Sequence, residues 1–194
     1  MDNLAVTLQN VSKNAKIKSI KSEMLHQQSA LVSKLRKLLP DDLFWVNALS
    51  PKNQGNFCLH LAIFREPYLK YILEGRKTVE TRFAKRACPP FDKVADGDIL
   101  VLKRAGGPVL ALCTVEKVWF YRLKAGSLDQ IKQKFGEAIC PAVASFWQDR
   151  KDAAYATLML IGHVTPVKNI EIKKRDRRGW VTFKNPQLKS ILYK

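Results

Sequence analysis

The sequence is short of acid. Across 194 residues, 17 Asp and Glu face 34 Lys and Arg, giving a formal charge of +17. That imbalance calls for an anionic partner, nucleic acid first and a membrane surface second. Long apolar runs are missing as well. Stretches such as 156–162 and 109–113 fall far short of the roughly 20 residues a membrane helix needs. The N-terminus has no apolar core of a secretory signal, which points to a cytoplasmic protein. An organelle-targeting peptide stays open, because Lys13, Lys16, Lys18 and Lys21 outnumber the early acids. Cysteine is sparse and scattered. Cys58, Cys88, Cys113 and Cys140 form no C-x-x-C pair, and no His lies near enough in sequence to suggest zinc. They read as free thiols of a reducing compartment, and neither a metal nor a cofactor is implied.

What is present is ordinary globular material, 46% hydrophobic and 26% charged, enough to bury a core. The positive charge is unevenly spread. Residues 1–55 hold 8 basic and 4 acidic side chains, 56–167 hold 17 and 11, and 168–194 hold 9 and 2. The spacing of Met24, Leu31, Leu35 and Leu38 predicts one amphipathic helix over about 22–39, stopped by Pro40. Residues 47–56 read as a linker. The chain therefore divides into a basic N-terminal extension, 1–55, and a main domain, 56–194, with a basic C-terminal segment from 168.

In the main domain, strands are expected at 57–64, 79–83, 99–103, 109–121, 156–167 and near 180–183. A short helix starts at Pro67 and ends at Gly75, placed for a left-handed turn. A longer helix covers 127–139, with Ser127 as its N-cap and Leu128, Ile131 and Phe135 facing inward. Residues 146–152 continue helical. Uneven strands with a few short helices and no βαβ alternation predict an α+β or small-barrel domain rather than a doubly wound one.

The stretch that carries chemistry is Gly75-Arg76-Lys77-Thr78-Val79-Glu80-Thr81-Arg82. Strand alternation places Thr78, Glu80 and Arg82 on one face and Val79 and Thr81 on the other, with Lys77 at the entrance. Lys, Glu and Arg gathered at one helix–strand junction can bind an anion, hydrogen-bond a base edge, or hold Lys and carboxylate in proton-transfer range. Each also has a plainer reading: Lys77 as a solvated turn lysine, and Glu80 with Arg82 as a structural pair.

Gly75, Lys77, Glu80 and Arg82 match G-x-K-x-x-E-x-R, and in this the sequence resembles the ASCH (activating signal cointegrator homology) domain family. Leu61–Tyr68 resembles the family's first strand and helix start, and Gly97-Asp98 before Ile99–Leu102 its next strand. The resemblance covers about 57–167. It implies a PUA-like β-barrel with flanking helices and a cleft between barrel and helices that binds RNA or nucleotides derived from it. It also implies a hydrolytic alternative. Some small bacterial members cleave the amide of acetylated cytidine with a Lys, a Thr and a Glu, and another is reported as a ribonuclease. Lys77 matches the amidohydrolase Lys. Its Thr falls on Glu80 here, with Thr78 and Thr81 adjacent. Its Glu comes from the helix after the long strand, where Glu137 is the nearest candidate.

The expected site is therefore Lys77, Glu80 and Glu137 as catalytic candidates, with Tyr68, Gly75, Arg76, Thr78 and Arg82 as ligand contacts. Tyr68 reads as a stacking ring or as core. The tail residues Lys173, Lys174, Arg175, Arg177, Arg178 and Trp180 read as a phosphate grip beside an aromatic, or as a solvated strand end. His60 and His163 read as structural. The N-terminal helix is a flank of the barrel or a surface for a protein partner. Two functions stand: a module that holds RNA or a nucleotide, and a hydrolase acting on one.

Overall fold

Apolar residues on both faces of β1 (Leu59–Phe64) and β3 (Ile99–Arg104) bury these strands almost completely. The computed structural model describes residues 29–53, 55–172 and 178–183. Among them, β2 (Val79–Ala84), β4 (Val109–Arg122), β5 (Tyr155–Ile170) and β6 (Trp180–Phe183) complete one sheet in the order β2-β5-β4-β3-β1-β6. β1 and β3 pair parallel, whereas β2–β5, β3–β4 and β4–β5 pair antiparallel. The long β4–β5 ladder shifts register at three places between Val109 and Lys117, and such bulges bend a ladder and increase its twist. The architecture is the expected α+β one, a mixed sheet curved into a half-barrel with few short helices.

The sheet has two packed faces. On the inner one, Ala62, Phe64, Leu100, Leu102, Cys113, Met159 and Trp180 share a core. On the outer one, α4 (Ser127–Ile139) lays Ile131, Phe135 and Ile139 over Val79, Ala156 and Leu158. The spacing i, i+4, i+8 puts those three on one helical stripe. Leu128 is only half-buried. Ser127 is not the cap. Gly126, in the left-handed conformation, takes that place, and the Ser127 hydroxyl accepts instead from the Lys124 N–H at 3.0 Å. Residues 144–150 form two short 3₁₀ turns, Ala144–Phe146 and Gln148–Arg150, rather than a continued α-helix.

A buried polar network ties the inner face together. Trp180 Nε1 can only donate, and it lies 3.2 Å from His60 Nδ1. The proton of a neutral His60 is thereby assigned to Nε2, which donates to Asp98 at 2.9 Å. Asp98 also accepts from the Cys58 and Ala95 N–H groups at 2.7 Å each. His60 is structural, as the sequence suggested.

The chain divides into two compact units, Asn56–Thr182 and the residues before it together with Phe183. In the N-terminal unit, 29–38 are helical (α1), with Leu31, Val32 and Leu35 buried. Residues 22–28 of the expected helix lie outside the described residues. A second helix, α2 (Leu43–Ala48), was not expected. The Asp42 carboxylate caps it by accepting from the Trp45 N–H at 3.2 Å, and Trp45 is fully buried. Among the described residues, no helix is long and apolar enough to cross a membrane.

Candidate functional site

The short helix α3 (Tyr68–Leu73) ends where Gly75 takes φ +71°, a conformation that costs glycine nothing. That turn lets the Arg76 and Lys77 N–H groups both reach the Tyr71 carbonyl, at 2.9 and 3.0 Å. Lys77 is thereby swung inward, and only 2% of it is exposed. Its ammonium donates to the carbonyls of Val79 at 2.8 Å and Ile139 at 3.0 Å, and lies 3.4 Å from Glu80 Oε2. Ile139 is the last residue of α4, whose final carbonyls lack intrahelical donors. Lys77 therefore places a cation where the helix dipole favours one. The Thr78 N–H adds a bond to Ala138 O at 3.0 Å. Three acceptors around one nitrogen account for all three ammonium protons. Burial holds the Lys77 pKa below its ordinary value, opposed by the Glu80 charge.

Glu80 is 4% exposed and joins two cations. Oε2 faces Lys77, and Oε1 accepts from Arg82 Nε at 2.7 Å. Arg82 reaches across the opening between edge strand β2 and the other end of the sheet. It donates to Ile63 O of β1 at 3.0 Å and to Gly179 O, just before β6, at 3.2 Å. Its guanidinium lies 4.9 Å from the Phe64 ring centre and 5.4 Å from that of Trp180. The half-barrel is closed here by one side chain.

Above this triad opens a cleft of about 1230 Å³. Lys77, Glu80 and Arg82 form part of its lining, with half-buried Tyr68 and Phe83 supplying aromatic surface and the buried Phe146 lying beneath. Lys77 lies 5.6 Å from the Tyr68 ring centre. Arg150 stacks over Phe146 at 3.5 Å and donates to the Phe146 carbonyl, which fixes the plane of its guanidinium. Burial lowers the Arg150 pKa, and Tyr68, Asp149 and Glu80 pull it back. Arg65, Lys85, Lys103 and Arg178 bring the lining cations to seven, against Glu80, Asp149, Asp152 and Glu171. The cleft carries a net positive charge and aromatic faces side by side.

Of the expected residues, Tyr68, Lys77, Glu80, Arg82 and Arg178 line this cleft. Arg76 and Thr78 are exposed and do not, and Gly75 acts only through its turn. Glu137 is exposed on α4, off the Ile131–Phe135–Ile139 stripe, so the carboxylate that meets Lys77 is Glu80. Trp180 is 5% exposed, held inward by His60 and by the Arg82 guanidinium rather than offered at a surface. Lys173, Lys174, Arg175 and Arg177 lie outside the described residues. Arg150, Phe146 and Phe83 escaped the sequence reading. Strand alternation groups Phe83 with Val79 and Thr81, but nothing local marks Arg150.

The solved structure of the ASCH protein of Zymomonas mobilis superposes on this chain with a TM-score of 0.53 and 14% identity, covering 69% of this chain and 93% of that one. Two single-residue variants of that protein match with TM-scores of 0.52 and 0.51, also at 14% identity and 69% of this chain. The likeness establishes the fold. No family model matches the sequence, and no curated protein matches it.

Proposed function

We propose that this chain, built on the fold of the ASCH proteins, is a binding module that holds single-stranded RNA, or a nucleotide derived from it, in the cleft beside β2. The observation that carries the reading is the juxtaposition of the Arg150–Phe146 stack, Tyr68 and Phe83 with a net positive lining in one open cleft. Bases stack on aromatic and guanidinium faces, and cations answer phosphates, without demanding a particular sequence. Size points the same way. Small-molecule pockets run about 300–1,000 Å³, and this open cleft exceeds them, which suits a strand better than one enclosed nucleoside.

The hydrolytic alternative gains less from the geometry. Lys77 has its three protons committed to Val79 O, Ile139 O and Glu80, so it would have to break a buried bond to act as a base. The position of the amidohydrolase Thr is occupied by Glu80, itself bound to two cations.

The test is fluorescence anisotropy of a labelled mixed-sequence RNA at about 50 and about 200 mM salt. Neutralising several phosphates should make affinity fall steeply between the two. Arg150→Ala should weaken binding at low salt about tenfold, since it removes a stacked cation. No binding at low salt, or affinity indifferent to salt, would defeat the proposal. Acetylated cytidine incubated with the protein serves as the control for hydrolysis.

A further inference from the structure

A second, smaller cavity of about 140 Å³ shares Arg82, Phe83, Ala84 and Gly179 with the cleft. Its floor is the inner face of the β2–β5 pair, where Arg82 sits opposite Thr157. Phe91, Tyr155 and Trp180 wall it, and Cys88 stands exposed at its rim. The Phe91 and Tyr155 rings are fixed against each other, centres 4.9 Å apart. The floor contains an anomaly. Thr157 is 1% exposed, yet its hydroxyl has no hydrogen-bond partner among the described residues. A buried hydroxyl without a partner is costly and calls for one. Arg82 stands beside it with five N–H donors, of which Glu80, Ile63 and Gly179 take three.

We infer that this cavity is a subsite for a single pyrimidine base, filled by a nucleotide neighbouring the one held in the main cleft. A cavity of about 150 Å³ holds one benzene ring, so a six-membered ring fits where a purine does not. A uracil or cytosine edge carries carbonyl oxygens that accept from the Thr157 hydroxyl and the remaining Arg82 N–H groups. A phenyl ring of a peptide would leave both unpaired. Arg82 lines both cavities, so one guanidinium stands between two adjacent bases. The inference rests on the reading that a nucleic-acid strand occupies the cleft.

The test compares labelled oligouridylate and oligoadenylate of about ten nucleotides, a length within the usual range of single-strand sites. Wild-type protein should bind oligouridylate about tenfold more tightly, the worth of a hydrogen bond or two. Thr157→Val keeps the shape but removes the hydroxyl, and should erase that advantage. Cys88→Trp, at an exposed position, should erase it by filling the cavity. Equal binding of the two strands by wild type overturns the subsite and leaves the cleft reading intact. A preference that survives both substitutions comes from strand flexibility and overturns it too. Binding of neither strand at low salt overturns both readings. Competition by a phenylalanine-containing peptide for this cavity, with no uridylate preference, would reassign it to protein recognition.

Discussion

The two closures of this half-barrel differ in kind. On one side, β4 and β5 run together from Val109–Ile170 to Arg122–Tyr155 along a backbone ladder. On the other, among the described residues, the Arg82 guanidinium links β2 by hydrogen bonds to β1 and to the residue just before β6. A ladder satisfies most of its own polar groups even where bulges interrupt it. A side-chain bridge leaves an opening, and the cleft occupies it. The ladder side buries apolar residues such as Leu112, Val115, Leu158 and Met159, whereas the seam holds the buried charges Lys77 and Glu80. Stability on one side comes from burial, and on the other from the mutual neutralisation of ions that burial alone would penalise.

Three measurements sharpen that contrast. The largest effect is expected for Glu80→Ala, which leaves Lys77 and Arg82 without their carboxylate. Breaking a buried pair this way costs about 3–5 kcal/mol, to be read as a lower urea midpoint. A loss under about 1 kcal/mol would mean the seam ions are solvated like a surface pair. Next is Arg82→Lys. An ammonium cannot span Glu80, Ile63 and Gly179 in the planar fork that the guanidinium uses. The expected loss is about 1–3 kcal/mol, with faster amide exchange at Ile63, whose N–H donates to Gly179 O, and unchanged exchange along β4–β5. Uniform acceleration across the sheet would show that seam and ladder open as one unit.

The smallest effect is a pH slope. Burial lowers the Lys77 pKa, while an unfolded lysine titrates near about 10.4. Between the two values the unfolded chain holds a proton that the folded chain has released, so stability rises with pH through that window. Below the folded value both states are protonated and the burial penalty is constant. Urea unfolding of wild type and Lys77→Met at about pH 8 and about pH 10 isolates it, because other groups titrate in both. The stability of wild type relative to the variant should climb with pH. A flat or falling difference would show that Glu80 outweighs the burial.

Most of the seam was legible in eight residues. Glycine at 75 marks the left-handed turn, and period two brings Glu80 and Arg82 to one face. What could not be read were the partners, because they are remote in sequence. Lys77 binds the carbonyl of Ile139, 62 residues away, and Arg82 that of Gly179, 97 residues away. Without those acceptors, Lys77 looked free for catalysis. Arg150 was missed because 3₁₀ turns leave no periodic trace, and α2 because one and a half turns fall below the length at which periodicity speaks. The order of elements points to Glu137, whereas helical phase sets it apart from the buried stripe. The parallel pairing of β1 with β3 was likewise hidden, since no helical crossover of the usual kind announces it.

A barrel laced by one arginine is also a scaffold with an adjustable aperture. The cleft is lined in part by Lys85, the β3–β4 hairpin at Gly106-Gly107 and the turns around Arg150, none of which belongs to the β4–β5 ladder. Lengthening or recolouring those loops changes what enters without touching the ladder. Such changes leave in place the knot of Lys77, Glu80 and Arg82 that holds the seam.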